Sequence, residues 1–165
     1  MKTKLVAEDY LALLKKFQAL NNGEKASIRR EIEPDDLKTN PVFYRLIEGS
    51  IFTEALPQVA RLIYFLPFLP LEPNKQGAKK IGAILNAHEI SERRLFLVMR
   101  SESPADLIQL RRLLQQIKHG YLDYPAFANM LFYWGKLSKQ ELMEEFYLSA
   151  PNRTQQPSQA VDADH

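Results

Sequence analysis

Arginine is the residue type that most clearly offers chemistry in this sequence. Three adjacent pairs occur, and further basic residues stand near aromatic ones. A guanidinium group is planar, always charged and suited to bidentate contact with phosphate oxygens. Held on rigid helices, such groups would form a binding surface for an anionic partner. The candidate nucleic-acid-binding residues are Arg29, Arg30, Arg45, Arg93, Arg94, Arg100, Arg111, Arg112 and Lys136.

Catalytic and metal chemistry has little support. The three histidines have no metal-ligand spacing, cysteine is absent, and neither a phosphate loop nor a GxSxG elbow occurs. Glu141, Glu144 and Glu145 could suggest metal ligation, but a charged face on an amphipathic helix explains them better. The sequence therefore predicts no catalytic residues, no metal site and no cofactor.

The elements that must position the arginines are helices. Apolar residues recur at three- and four-residue spacing along most of the chain, and no alternating run with hairpin residues occurs. The first arginine pair is predicted on a short helix that begins near Gly23 and closes before Pro34, since the residue before a proline disfavours helix. The predicted helices cover residues 6–20, 28–31, 41–48, 54–66, 78–86, 91–100, 104–118, 124–134 and 138–148.

Domain organisation follows from the proline content. Three prolines fall in residues 67–77, which we interpret as the main connector. The sequence thus predicts an all-α fold of about eight or nine helices, in two lobes at about 1–70 and 75–150. The segment 151–165 has few apolar residues and is predicted to be a disordered tail.

Helical geometry separates the arginines from the apolar stripes. Arg112 lies nearly opposite the leucine-rich stripe of its helix, and Arg93 and Arg100, seven residues apart, share one polar side. For any one arginine, an ion pair with an acid such as Glu92 or Asp106 is the simpler explanation. The threefold repetition of the pair favours a shared anionic partner.

Two local signals concern helix ends and aromatic residues. Ser138 with Glu141 predicts a capping box, and Asp123 predicts a cap before an early proline. The aromatic residues of 121–134 could stack on nucleic-acid bases, but their spacing fits core packing better.

Charge and hydropathy bound the function further. The net charge is +2, yet residues 75–119 hold nine basic against four acidic side chains, and residues 140–165 hold one against five. Such asymmetry suits an anionic partner on one side. The longest apolar run, 62–71, is broken by prolines and too short to cross a bilayer, and no signal peptide precedes it. We expect no membrane contact and a cytoplasmic location.

Several runs also carry a family resemblance. The segment IRREIEPDDL at 28–37, followed by PVFYRL at 41–46, resembles the small subunit of the type I-E CRISPR surveillance complex, the CasB family of Cascade. Residues 92–96, 105–114 and 134–136 agree with that family in the same order, and the similarity covers roughly residues 8 to 148. No single run is diagnostic, but their order across most of the chain is specific.

The resemblance implies a function that composition does not. It implies a non-catalytic, nucleic-acid-binding subunit of Cascade that stabilises crRNA-guided opening of target DNA, the R-loop, in antiviral defence. The implied partners are the backbone and large subunits, a second copy of the chain, crRNA, and the target and displaced DNA strands. The alternative is a stand-alone helical regulator or adaptor that binds duplex DNA or an acidic protein.

Overall fold

The fold is all-α, as predicted. The computed structural model describes residues 5–72 and 77–148, and within these ranges it contains no β-strand. The predicted tail, 151–165, lies outside the described residues. In these ranges the α-helices are α1 (Ala7–Gln18), α2 (Asn22–Arg29), α3 (Pro41–Ile47), α4 (Leu56–Phe65), α5 (Ile81–Ala87), α6 (Glu92–Arg100), α7 (Ala105–Leu114), α8 (Tyr124–Phe132) and α9 (Lys136–Leu148).

Short 3-10 helices add turns that the sequence did not predict. They span Pro34–Thr39, Ile51–Glu54 and Leu66–Phe68. The first begins where we expected only the end of α2, because proline is well suited to a first helical position. Helix α2 begins at Asn22, beside the predicted start near Gly23, with Asn21 and Glu24 forming a reciprocal capping box, and Arg30 is its C-cap.

The start of α9 corrects one prediction about helix caps. The helix begins at Lys136, so Ser138 lies inside it, where its hydroxyl donates to the Tyr133 carbonyl at 2.8 Å. The predicted Ser138 capping box is therefore wrong, because α8 ends and α9 begins two residues earlier than the sequence suggested. The Asp123 cap is confirmed, since its Oδ1 accepts from the Ala126 amide at 3.2 Å.

The chain on both sides of residues 73–76 pairs with the segment before α8. The Leu122 amide donates to the Pro70 carbonyl at 3.1 Å, and the Lys79 amide donates to the Tyr121 carbonyl at 3.0 Å. These contacts form isolated bridges that satisfy backbone groups between helices. They fix where α5 begins relative to the end of α4.

One buried apolar cluster draws side chains from helices before and after residues 73–76. Helix α4 is central, with Val59, Ile63 and Phe65 fully buried, and it packs against α8. Helix α1 also packs on α8, where the Tyr10 hydroxyl donates to Asn129 Oδ1 at 3.0 Å. The division into two lobes stays a prediction. Over the described ranges, every helix falls short of the length and apolar character that crossing a bilayer requires.

Helices α5 and α9 approach each other most closely at Gly82. A Cβ atom there would lie 2.4 Å from Cβ of Glu145 and 2.6 Å from the backbone nitrogen of Phe146. The Gly82 amide donates to Glu145 Oε1 at 3.0 Å. The Asn86 side chain donates to the Phe146 carbonyl at 2.7 Å. Hydrogen bonds and a glycine contact thus fix α9 on α5.

The close approach predicts that Gly82→Ala is destabilising. Alanine favours helix over glycine by about 1 kcal/mol, but the clash involves backbone that cannot rotate away, and overpacking costs about 1–3 kcal/mol. We expect a net loss in the free energy of unfolding, measured by urea denaturation. Gly23→Ala is the control, since its Cβ would meet Asn21 Oδ1 at an ordinary 3.4 Å and should be neutral or stabilising. Equal stability for both variants would contradict the account of this contact.

Glu145 predicts a pH dependence of stability. Burial raises the pKa of its carboxyl to about 7, against the lowering effect of the Gly82 amide. A raised pKa means that the native state holds the proton more tightly, so this stabilisation is complete below the unfolded pKa and is lost as pH rises through about 7. Glu145→Gln should therefore lose less stability than wild type between about pH 5 and pH 8. Parallel curves for the two proteins in urea titrations across that range would contradict it.

Candidate nucleic-acid interface

Arg111 joins the middle of the chain to the end of α2. Its Nη1 donates to the Glu31 carbonyl at 2.7 Å, although 80 residues separate the two. Its guanidinium carbon also lies 4.3 Å from the ring centroid of Tyr64, a cation–π distance. Burial lowers the pKa of Arg111, but an arginine side chain stays charged at neutral pH. Arg111 is thus a structural residue of the surface.

Phe68 brings the first arginine pair to the same place. The guanidinium carbons of Arg29 and Arg111 each lie 5.0 Å from its ring centroid. Arg29 also donates from Nη2 to the Pro67 carbonyl at 3.3 Å. One aromatic ring therefore holds an arginine from α2 and an arginine from α7, and two of the three predicted pairs meet.

The second member of each of these two pairs is exposed. Arg30 follows Arg29 at the end of α2, and Arg112 follows Arg111 on α7. Within residues 5–72 and 77–148, neither side chain makes a hydrogen bond or an ion pair. We call Arg29, Arg30, Arg111 and Arg112 the arginine cluster. Its inner members are held by carbonyls and rings, and its outer members present charge to solvent.

The third pair lies beside α7. Arg94 donates from Nη1 to Gln116 Oε1 at 2.6 Å, and Gln116 follows Arg112 by four residues. Arg93 is exposed, and its side chain has no hydrogen bond or ion pair to any part of the chain that the structure describes. The bond from Arg94 to Gln116 places the start of α6 next to the end of α7. The pair therefore adjoins the arginine cluster.

The remaining predicted residues lie elsewhere. Arg45 on α3 forms an ion pair with Glu24 Oε2 at 3.1 Å, so part of its charge is offset. Arg100 and Lys136 line a cleft between α6 and α9. Arg100 lies 5.7 Å from the ring centroid of Phe96. The structure thus joins two arginine pairs closely and a third beside them, and leaves these three residues apart.

Two basic residues that the sequence did not single out have structural roles. Arg61 donates from Nε to the Leu131 carbonyl at 2.6 Å and from Nη2 to the Phe132 carbonyl at 2.5 Å, at the end of α8. Burial lowers the pKa of Arg61. Lys139 pairs at 3.0 Å with Oδ2 of the buried Asp106. In the sequence, a structural role for Arg61 is indicated only by its position among the apolar residues of α4, most of which are buried.

Asp106 and Glu92, the acids that the sequence offered as ion-pair partners for the arginines, have other partners in the structure. The sequence made Asp106 a candidate ion-pair partner for an arginine, but its charge pairs with Lys139. Trp134 Nε1 donates to the same oxygen at 2.9 Å, and the Leu107 amide donates to Oδ1 at 2.7 Å. Glu92, the other candidate partner, accepts from the Tyr147 hydroxyl at 2.6 Å. These acids are therefore used for helix packing.

The aromatic residues before α9 are mostly core. Tyr124, Phe127 and Phe132 are buried, whereas Tyr133 is 56% exposed. The burial of these three rings agrees with the prediction that they pack in the core and do not stack on bases. Among the described residues, no group of three His, Asp or Glu side chains is arranged to hold a metal ion.

Comparison with known proteins places this geometry in a family. No family model matches the chain. The CRISPR system Cascade subunit CasB of Escherichia coli K12 is 37% identical over 151 residues, which cover 86% of this chain and 94% of that protein. The chain belongs to the CasB family. One chain in the crystal structure of E. coli Cascade bound to a PAM-containing double-stranded DNA target superposes with a TM-score of 0.71. The two chains are 36% identical, and the match covers 85% of this chain and 97% of the chain from the Cascade structure.

The contacts of this CasB-family chain predict different costs for adjacent arginines. Arg111→Met should lower the free energy of unfolding by about 1–3 kcal/mol, because it removes a charged hydrogen bond and a cation–π contact. Arg112→Met should stay within about 0.5 kcal/mol of wild type, as for ordinary surface changes. Thermal and urea unfolding of both variants make the comparison. If Arg112→Met costs as much as Arg111→Met, the assignment of inner and outer roles is wrong.

Proposed function

We propose that this chain is a non-catalytic, nucleic-acid-binding subunit of a type I-E Cascade complex, in which it stabilises crRNA-guided opening of target DNA in antiviral defence. Membership of the CasB family supports the assembly. The superposed chain comes from a Cascade structure that contains a DNA target, which supports the nucleic-acid partner. Family membership also favours this function over a stand-alone regulator.

One observation carries the binding role. Arg30 and Arg112 are exposed and, within the described ranges, uncompensated by any acid, while Arg29 and Arg111 beside them are fixed by carbonyls and Phe68. The bonds of Arg29 and Arg111 fix the backbone of α2 and α7, so the positions from which Arg30 and Arg112 project are set before a phosphate binds. The cluster is therefore preorganised for a polyanion. Arg93 and Arg94 extend it along the start of α6.

The mode of binding proposed is contact with the sugar-phosphate backbone. The exposed members of the surface are guanidinium groups, and guanidinium contacts with phosphates position nucleic acid without reading its sequence. In an RNA-guided complex, base pairing with the guide supplies specificity, and the exchange of duplexes is nearly balanced in energy. A few phosphate contacts would suffice to favour the open state.

The partners follow from the same proposal. They are the backbone and large subunits, a second copy of this chain, crRNA, and both DNA strands, in the cytoplasm. Arg45 remains a supporting candidate for nucleic-acid contact, whereas Arg100 and Lys136, also candidates from the sequence, line the separate cleft between α6 and α9. We infer no catalytic step for this chain itself.

The proposal predicts the effect of reversing the two outer charges together. Arg30→Glu with Arg112→Glu should weaken single-stranded DNA binding by the isolated chain. The salt slope, which is the slope of the logarithm of the binding constant against the logarithm of the salt concentration, should also fall in magnitude by about 1.4. Each lost phosphate contact with single-stranded DNA accounts for about 0.7. In the assembled complex the same variant should lose most R-loop formation. Its melting temperature should stay near that of wild type, since neither side chain is used in the fold.

A matched control separates a local contact from a general charge effect. Lys15→Glu with Lys79→Glu makes the same change in net charge at two exposed lysines outside the candidate set. This control should keep R-loop formation within about twofold of wild type, because it changes the net charge equally but alters no member of the arginine cluster. Equal losses in both double variants, or no loss in the arginine variant, would contradict the proposed contacts.

A further inference from the structure

A second surface lies between α6 and α9. The two helices run in opposite directions and are tied near both ends. Near one end the Tyr147 hydroxyl donates to Glu92 Oε1 at 2.6 Å, and near the other Lys139 Nζ donates to the Ser101 carbonyl at 2.8 Å. Between these ties the helices leave an open cleft of about 350 Å³.

The floor of the cleft is apolar. Phe96 and Met99 come from α6 and Met143 comes from α9, and each is only partly buried by its own chain. Methionine is flexible and polarizable, and surfaces rich in it adapt to apolar side chains of a partner. The floor therefore suits an apolar side chain of a partner.

The rim of the cleft is basic. Arg100 and Lys136 are exposed at the open side. Lys139 also lines the cleft, but its charge is offset by the buried Asp106. Two uncompensated cations beside an apolar floor complement an apolar side chain that has carboxylates on either side of it.

We propose that this cleft docks a segment of a neighbouring protein subunit in which an apolar anchor residue is flanked by Asp or Glu. The anchor fills the space above Met99 and Met143, and the carboxylates pair with Arg100 and Lys136. This assigns Arg100 and Lys136 to a protein contact instead of the nucleic-acid contact expected from the sequence. The docking proposal rests on the proposed function in one respect only, which is membership of a multi-subunit assembly. It does not rest on the DNA contacts of the arginine cluster.

A nucleic-acid base fits the cleft less well. A base edge carries hydrogen-bond donors and acceptors that need partners once they are buried. Gln140 is the one uncharged polar side chain among the residues that line the cleft. An aliphatic or aromatic side chain makes no such demand.

The direct test is site-specific photo-cross-linking in the assembled complex with bound target DNA. A benzophenone amino acid replaces Gln140, which is exposed and lines the cleft, and in a control it replaces Glu141, which is exposed on the side of α9 that faces away from the cleft. We expect position 140 to cross-link to a neighbouring subunit, at an apolar residue flanked by Asp or Glu identified by mass spectrometry. Position 141 should give far less of this product. Cross-linking to DNA or crRNA, to a second copy of this chain, to residues 149–165 of the same chain, or no product above the control would overturn the proposal.

Charge reversal separates this proposal from the DNA contacts. Arg100→Glu should weaken retention of the subunit in the complex by about tenfold, because the reversed charge repels the carboxylates of the docked segment instead of attracting them. It should leave the salt slope of DNA binding by the isolated chain unchanged. A slope reduced by about 0.7 would instead make Arg100 a phosphate contact and overturn the assignment. Arg30→Glu with Arg112→Glu should show the opposite pattern, so each proposal can fail alone.

Discussion

The bond from Arg111 to the Glu31 carbonyl is the interaction on which the candidate surface depends. It joins α7 to the end of α2 across 80 residues of sequence, and the guanidinium group stacks on Tyr64 at the same time. It bonds the pair at 111–112 directly to the turn that follows the pair at 29–30, and the shared Phe68 ring adds a second contact between the two pairs. A half-buried cation is costly unless it is well bonded, so this position strongly constrains the neighbouring backbone. The Tyr64 hydroxyl adds a 2.8 Å bond to the Ile32 carbonyl, and the turn after α2 is thus held at two successive residues before Pro34.

The same principle recurs where other basic side chains meet carbonyls or buried acids. Arg61 satisfies two carbonyls at the end of α8, and Lys139 neutralises Asp106. Helix ends leave unpaired carbonyls that need donors when they are covered by other helices. Part of the positive charge of the chain is therefore used internally. The charge left for a partner includes Arg30, Arg93 and Arg112, whose side chains make no hydrogen bond or ion pair within residues 5–72 and 77–148.

Much of the fold could be predicted from sequence because amphipathic periodicity is local information. The starts of α3 and α8 follow from Asn40, Asp123 and the prolines behind them. Two features could not be predicted from the sequence, because both depend on how the chain packs around them. They are the 3-10 helix at Pro34–Thr39 and the early start of α9. For the site, periodicity placed Arg112 on the surface. It could not show which arginine of a pair holds the fold, because the partners of Arg29 and Arg111 are distant carbonyls and rings with no sequence signature.

The most direct test of the central claim is arginine modification by phenylglyoxal, read by mass spectrometry, in the assembled complex with and without target DNA. If the outer members of the arginine cluster contact phosphates, Arg30 and Arg112 should be modified readily without DNA and become protected when it binds. Arg111, bonded within the fold, should react slowly in both states. Equal modification of Arg30 and Arg112 with and without bound DNA would contradict the account.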